Sequence, residues 1–352
     1  MSKDAVSVGD FKNQCRDAFK DDMGETRILR HISTGAYDVD KALGGGLSLS
    51  RFHLWAGKES AGKTSLSLHA MREANLINWD TGEYDPSLEN PTPVMFVDLE
   101  GTFDESWASK IGVRDFDSYN FVVSPGYGEM AADMVINALE ARTFGLIIVD
   151  SNEAFVSLKA LEKSAEDHVM CDRAKILSRM YRAGQSHLNK KNKEQPWKNP
   201  AVLCLNQVRD DIGSMHGGYT YPGGRAQLQY SSTIIQFNAP MVTDDAKKSY
   251  GMGEFKGVTK KNKTHPPKKN FLFKMAIRDL SEDGQGLKAG QIDNASSILK
   301  DIKDLGLMEK TDSGYNILGR DFRVQSDFKD ALWADEAEMR RVWKLLLEIH
   351  RK

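Results

Sequence analysis

The chain has 352 residues, with 48 basic and 50 acidic side chains and a formal net charge of −2. At 28% charged and 40% hydrophobic residues it has a globular composition, enough for one large domain and a smaller one at ~100–200 residues per domain. That mix excludes a disordered chain, and no apolar run approaches the ~18 residues of a membrane span. The near-neutral balance argues against a uniformly basic nucleic-acid binder but leaves room for a local basic stripe. Cys15, Cys171 and Cys204 are too few and too scattered for a disulfide framework or a zinc site. The polar opening Met-Ser-Lys-Asp has no signal-peptide core, so a soluble cytosolic protein without membrane contact is expected.

Residues 1–30 read as a polar leader in which Val6, Val8, Phe11, Cys15 and Phe19 recur at roughly helical spacing. Such a helix either packs on its own core or docks on a neighbouring subunit. From about residue 32 to 240, apolar strands alternate with helices and glycine clusters. The predicted strands are 52–56, 94–98, 120–123, 146–150, 202–205 and 233–237, with helical stretches such as 65–76 and 128–143 between them. Crossovers of this kind predict an α/β fold around a largely parallel, buried sheet. Cys204 falls inside one run and reads as a small core residue rather than a nucleophile.

Three segments interrupt the pattern. Residues 77–93 carry Asp80, Glu83, Asp85 and Glu89 and read as an acidic surface loop. Residues 188–200 are Lys-rich, with Pro196 and Pro200, and end a long helix. Residues 256–269 hold six lysines and no acid. Beyond Gly284 a helix (294–305), a turn (306–310) and a hairpin (313–317) precede two more helical segments, the second over 335–349 with one apolar face. The expected division is an N-terminal segment 1–30, a core 31–283 and a small C-terminal α/β domain 284–352.

The chemistry begins at Gly57-Lys58-Glu59-Ser60-Ala61-Gly62-Lys63-Thr64, which fits G-x-x-x-x-G-K-[ST] between a strand and a helix that continues with Ser65. Glycine lets the backbone turn its N–H groups inward, and the helix N-terminus favours phosphate charge. Lys63 can reach β- and γ-phosphates, and Thr64 can offer a hydroxyl to Mg²⁺. Downstream, Leu146-Ile-Ile-Val-Asp150 is an apolar strand ending in a carboxylate, the form of a Walker-B element. Alone, such an Asp is more often a cap or turn residue; with the phosphate loop upstream, Asp150 reads as the second Mg²⁺ ligand. Val97-Asp98-Leu99-Glu100 supplies another carboxylate, Glu100, suited to orient or deprotonate water.

These residues, with Ile32-Ser-Thr-Gly-Ala-Tyr-Asp-Val-Asp-Lys-Ala-Leu-Gly-Gly-Gly46 and Leu205-Asn-Gln-Val-Arg209, resemble in order and spacing the RecA recombinases of bacteria and their phages, over about residues 25–280. The resemblance implies a RecA-like ATPase core that uses ATP and Mg²⁺. It makes Glu100 the catalytic base, places Asp104 near the adenine and Trp107 on its face, and makes Gln207 the sensor of the γ-phosphate. Taken alone, Trp107 would read as a core aromatic. It also implies two DNA loops. The first, about 161–169, is acidic enough to read by itself as solvated surface; the second, 210–228, is glycine-rich, and its length alone marks it as functional or disordered. DNA contacts implied on this basis are His168, Val169, Lys175, Arg182, Arg209, Gly213, Met215, His216, Gly223, Gly224 and Arg225. Backbone N–H groups of such a loop can approach phosphates, and Met215 and the tyrosines can stack on bases whatever their sequence. His216, Leu228 and Gln229 depart from the bacterial pattern.

The lysine run 256–269 reads by itself as a solvated hairpin. By resemblance, Lys261 and Lys263 reach the γ-phosphate of a neighbouring protomer, as an arginine finger does. A site completed between subunits that do not close into a ring yields helical filaments. The function implied is pairing of single-stranded with duplex DNA by a cytoplasmic filament, in a bacterium or an infected host, with mediator or loader proteins as further partners. The C-terminal helix–hairpin pattern resembles a winged helix for duplex DNA, or serves as a structural lobe. The rival readings are a ring-forming helicase of the same core, a non-hydrolysing DNA-binding relative, and a kinase-like phosphotransferase, for which no acceptor pocket is legible.

Overall fold

The computed structural model describes residues 30–116, 118–162, 170–210, 218–238, 251–280 and 286–351. The leader helix expected near 6–19, most of the first loop and positions 211–217 of the second lie outside these residues.

Eight strands form one sheet: β1 (Arg51–Gly57), β2 (Val94–Asp98), β3 (Asn120–Val123), β4 (Leu146–Asp150), β5 (Ala201–Gln207), β6 (Ser231–Phe237), β7 (Met252–Asn262) and β8 (Asn270–Ala276). Their order is β8-β7-β6-β1-β5-β4-β2-β3. All pairings from β6 to β3 are parallel, whereas β7 runs antiparallel to both β6 and β8. The parallel strands are those expected, and the inner ones are buried along nearly their whole length because both sheet faces are covered. Successive side chains alternate between two cores. Trp55, Phe96, Ile148 and Leu203 pack with the helices Tyr37–Leu43 and Lys63–Asn75 on one face. Leu54, Val97, Val149 and Cys204 pack with Gly128–Ala141 and Met170–Asn189 on the other. Burial pushes the Cys204 thiol up to about 12, so it is the inert core residue expected.

The lysine run forms the turn and flanks of the β7–β8 hairpin, with Lys261 opposite Ile234 of β6. The two other interrupting segments pack on each other. Trp197 donates from Nε1 to the Trp79 carbonyl at 2.9 Å, and the Lys198 ammonium lies 5.3 Å from the Trp79 ring centre. The acidic loop is therefore pinned across its base, although most of its charges face water.

Beyond residue 286 come the helix Asn294–Asp304, three short strands (Met308–Thr311, Gly314–Ile317, Arg320–Phe322) and the helices Gln325–Ala334 and Glu336–Arg351. They share one apolar cluster, into which Tyr37 inserts edge-on to Trp343 at 5.5 Å. Two buried carboxylates tie this part to the core. Asp301 accepts from Tyr37 Oη, from Lys41 Nζ at 2.9 Å and, through the carboxylate, contacts His350 Nε2 at 2.6 Å. Glu73, 5% exposed, meets Arg340 through two bonds of 2.7 and 2.9 Å and Arg72 at 2.8 Å. Burial alone would raise the Glu73 pKa; the charges of Arg340 and Arg72 reverse this and hold it below its ordinary value.

Arg340→Met is expected to cost up to about 3–5 kcal/mol, because it takes two of its bonds from a buried carboxylate and leaves it the single one to Arg72. The pH dependence should also change sign. In the native protein the depressed Glu73 pKa gives stability that is full above about 4.3 and is lost as the pH falls through the folded value. Without the guanidinium, burial raises that pKa and the Glu73 contribution makes the variant gain stability towards acid. Urea melts of both proteins across this range, compared as a difference, check the sign.

Candidate functional site

The candidate residues of the phosphate loop, with Glu100, Asp150 and Gln207, gather at the carboxyl end of the parallel strands, whereas Lys261 and Lys263 lie towards the amino end of β6. Leaving β1 at Gly57, the chain wraps through five residues into the helix at Lys63. Gly62 starts that helix at φ 83°, and a Cβ there would lie 2.4 Å from the Phe255 ring of β7, so both conformation and space demand glycine. Lys63 is buried, and its ammonium donates to the carbonyls of Gly57 at 3.0 Å and Lys58 at 2.8 Å. Burial lowers its pKa, opposed chiefly by Asp150. Glu59 and Ser60 face solvent at the crest of the loop, and Ala61 is buried beneath it.

The parallel register sets three further groups beside the loop. Gln207 stands opposite Gly57, and Asp98 opposite Asp150. Thr64 Oγ1 donates to Asp150 Oδ2 at 2.9 Å. Burial raises Asp150 to about 6, moderated by the Thr64 bond and raised further by the nearby Glu100 charge. A hydroxyl and a buried carboxylate in contact are the hard oxygen donors that fit Mg²⁺. Ser151 Oγ donates to Glu100, which is otherwise exposed. Asp98 shapes the turn that presents Glu100, accepting from the backbone N–H of Gly101 at 2.8 Å, Thr102 at 3.2 Å and Phe103 at 3.0 Å.

Asp104 caps the helix Glu105–Ile111 by accepting from Trp107 N at 3.0 Å. Trp107 is half-buried against the core, and its indole donates to Ser65 Oγ at 3.1 Å, one residue beyond Thr64. It therefore borders the phosphate loop while packing as a core aromatic would.

A second region joins the first. Lys58 reaches Asp210 at 3.0 Å and lies 5.7 Å from the Tyr219 ring centre, linking the phosphate loop to the stem of the glycine-rich loop. Sequence reasoning gave Lys58 to ATP and assigned Asp210 no role. Opposite charges 152 positions apart carry no local signal of their pairing. Arg209 Nε donates to Glu153 at 3.0 Å, so its guanidinium is already paired. Gly223 and Gly224 take φ 101° and 84°, and a Cβ on the first would lie 2.5 Å from Leu177. Arg225 is exposed at the start of the helix Ala226–Tyr230. Lys175, Arg179 and Arg182 share one exposed face of the helix Met170–Asn189, at helical spacing. Lys261 donates to the carbonyls of Leu228 at 2.6 Å and Gln229 at 3.2 Å, whereas Lys263 is exposed. His168, Val169, Gly213, Met215 and His216 lie outside the described residues. No described helix is long and apolar enough to cross a membrane.

Residues 19–279 match the family model of the RecA N-terminal domain. Protein RecA of Prochlorococcus marinus is 32% identical over 238 residues, 67% of this chain and 59% of that protein. Protein RecA of Clostridium tetani is 30% identical over 291 residues, 81% of this chain and 76% of its own length. That of Trichodesmium erythraeum is 29% identical over 293 residues, 83% and 72% respectively. The chain thus spans under two thirds of the Prochlorococcus relative it matches.

Lys63→Ala should weaken nucleotide binding by roughly tenfold to a hundredfold, the scale of one charge-assisted bond. Titration with a fluorescent ATP analogue measures it; unchanged affinity in a folded variant would remove Lys63 from the site.

Proposed function

The chain belongs to the RecA family, and from that premise we propose that it is an ATP-driven recombinase that assembles head to tail on single-stranded DNA and pairs it with homologous duplex. The observation that carries this reading is the convergence of Lys63, the Thr64–Asp150 pair, Glu100 and Gln207 at one end of the sheet, next to the stem of a glycine-rich loop. The proposed division is an assembly segment 1–30, a core 31–283 and a C-terminal domain 284–352 that meets duplex DNA, in a cytoplasmic protein.

In this mechanism the backbone of 57–62 and the Lys63 ammonium cradle the phosphates of ATP, with Trp107 and Asp104 on the adenine side. Thr64 and Asp150 would hold Mg²⁺, which when bound neutralises charge on the β- and γ-phosphates. Glu100, kept in place by Ser151 and by the Asp98 turn, orients and deprotonates the attacking water. Lys261 and Lys263 supply positive charge to the γ-phosphate bound by the adjacent subunit, so hydrolysis requires assembly. Gln207 senses the γ-phosphate and shifts the loop that follows it. DNA phosphates meet the backbone of the loop around Gly213, Gly223 and Gly224 and the cations Arg225, Lys175 and Arg182. Met215 and His216 contact bases, the 161–169 loop with His168 and Val169 lies alongside, and Arg209 joins once it leaves Glu153. Anchored on the carbonyls of Leu228 and Gln229, Lys261 moves with the end of the loop of its own subunit.

The test uses two inactive proteins. Glu100→Gln should bind ATP and form long-lived assemblies without turnover. Lys261→Ala/Lys263→Ala should bind nucleotide and hydrolyse it poorly on DNA. Mixed, they create junctions where intact lysines meet an intact Glu100, so the ATPase rate should peak between the pure proteins. A flat or monotonic curve, with co-assembly verified by sedimentation, would return the lysine run to a solvated hairpin.

A further inference from the structure

Beneath the glycine-rich loop lies a polar cluster that neither the nucleotide site nor the DNA contacts use. Gln227, Asn152, Asn206 and Tyr181 are each fully buried. Gln227 Oε1 accepts two bonds, from Asn152 Nδ2 at 3.0 Å and Asn206 Nδ2 at 2.9 Å. Gln227 Nε2 donates into the turn above it, to the carbonyls of Pro222 at 2.6 Å, Gly224 at 3.2 Å and Tyr221 at 3.3 Å. Asn152 also donates to Tyr181 Oη at 2.9 Å, and Asn206 to the Pro222 carbonyl at 2.9 Å.

The ends of this cluster matter. Asn152 lies two residues past Asp150 and next to Ser151, the donor to Glu100. Asn206 immediately precedes Gln207. One side-chain amide thus ties the returning limb of the loop to both strand ends that carry the proposed catalytic groups. The orientation of that amide is determined: its oxygen faces two N–H donors and its nitrogen faces carbonyls, so turning it over would lose every bond. Among the described residues, Asn152 Oδ1 and Asn206 Oδ1 are buried acceptors without a partner. The cluster therefore has spare acceptors to which an amide N–H of the cluster can be handed over, giving a second pairing.

We propose that Gln227 is a positioning residue: a buried amide lock that holds the 221–224 turn in register with the ends of β4 and β5 and re-pairs when nucleotide shifts either end, so that the loop moves as a unit. This rests on the recombinase reading for the loop's role towards DNA, but the lock itself is set by nucleotide alone.

Two variants test it. Gln227→Met keeps length and volume and removes every bond; Asn152→Ser removes the link from Gln227 to the end of β4, together with the bond to Tyr181, and leaves the link to β5. In each, thermal melting shows whether the protein folds, and basal ATPase without DNA should stay near the wild-type rate. Stimulation by an oligo-dT strand should fall roughly tenfold, the ordinary scale of coupling between two sites. Hydrogen exchange at residues 218–230, compared with and without a slowly hydrolysed ATP analogue and with no DNA present, should change in the wild type and stay constant in the variants. A merely structural role would lower the melting temperature and leave both coupling readouts intact; that result in either folded variant overturns the lock. If DNA fails to stimulate the wild type, the recombinase reading falls, and the exchange comparison decides the lock by itself.

Discussion

A lysine ammonium buried in the turn between a strand and a helix, facing a buried carboxylate across the carboxyl end of a parallel sheet, sets the terms for most of this molecule. Lys63 and Asp150 are 8% and 4% exposed, and desolvation disfavours the charged form of each. Such groups persist only where rigid elements hold partners around them, and here the partners come from the loop backbone and from the first turn of the helix. Carbonyls of the phosphate loop hold the ammonium; Thr64, one residue along the same helix, holds the carboxylate. The parallel register then brings Asp98 and Gln207 to the same level without further adjustment.

The elements outside the site either keep that sheet end stiff or carry its state away. The C-terminal helices do the first: Arg340 on Glu73 clamps the helix that starts at Lys63, and Asp301 clamps the helix carrying Tyr37 and Lys41. Lys58 on Asp210, Arg209 on Glu153 and the amides around Gln227 do the second. These links differ in strength by burial. The exposed Lys58–Asp210 pair is weak and screened by salt, whereas buried bonds exchange discretely. The buried amides therefore suit a switch better than the surface pair does.

Much of the fold and of the grouping of residues at the candidate site was legible in the chain. Six parallel strands stand where short, largely apolar runs predicted them, because a strand covered on both faces loses the polar alternation of a half-exposed one. The phosphate loop was equally plain, since its glycines and its lysine are required at fixed spacing. What stayed hidden is long-range pairing between polar residues. Gln227 falls near the end of the glycine-rich stretch 210–228 and Asn152 just past the predicted strand 146–150, neither with a role of its own; only the fold brings them 3.0 Å apart. Asp98 was read as part of a motif, yet its three backbone acceptor bonds, which aim Glu100, depend on a turn geometry that spacing does not determine. Likewise, the attachment of Arg340 to Glu73 spans 267 positions and has no local signature.

The central claim is that the site at the end of the sheet is completed by a neighbouring subunit and works within an open helical assembly. Electron microscopy of the protein with single-stranded DNA, Mg²⁺ and a slowly hydrolysed ATP analogue tests this most directly. The account expects continuous helical filaments that follow the DNA and dissolve when the analogue is replaced by ATP and allowed to turn over. Closed rings, or isolated protomers on DNA under conditions where the analogue is bound, would contradict it.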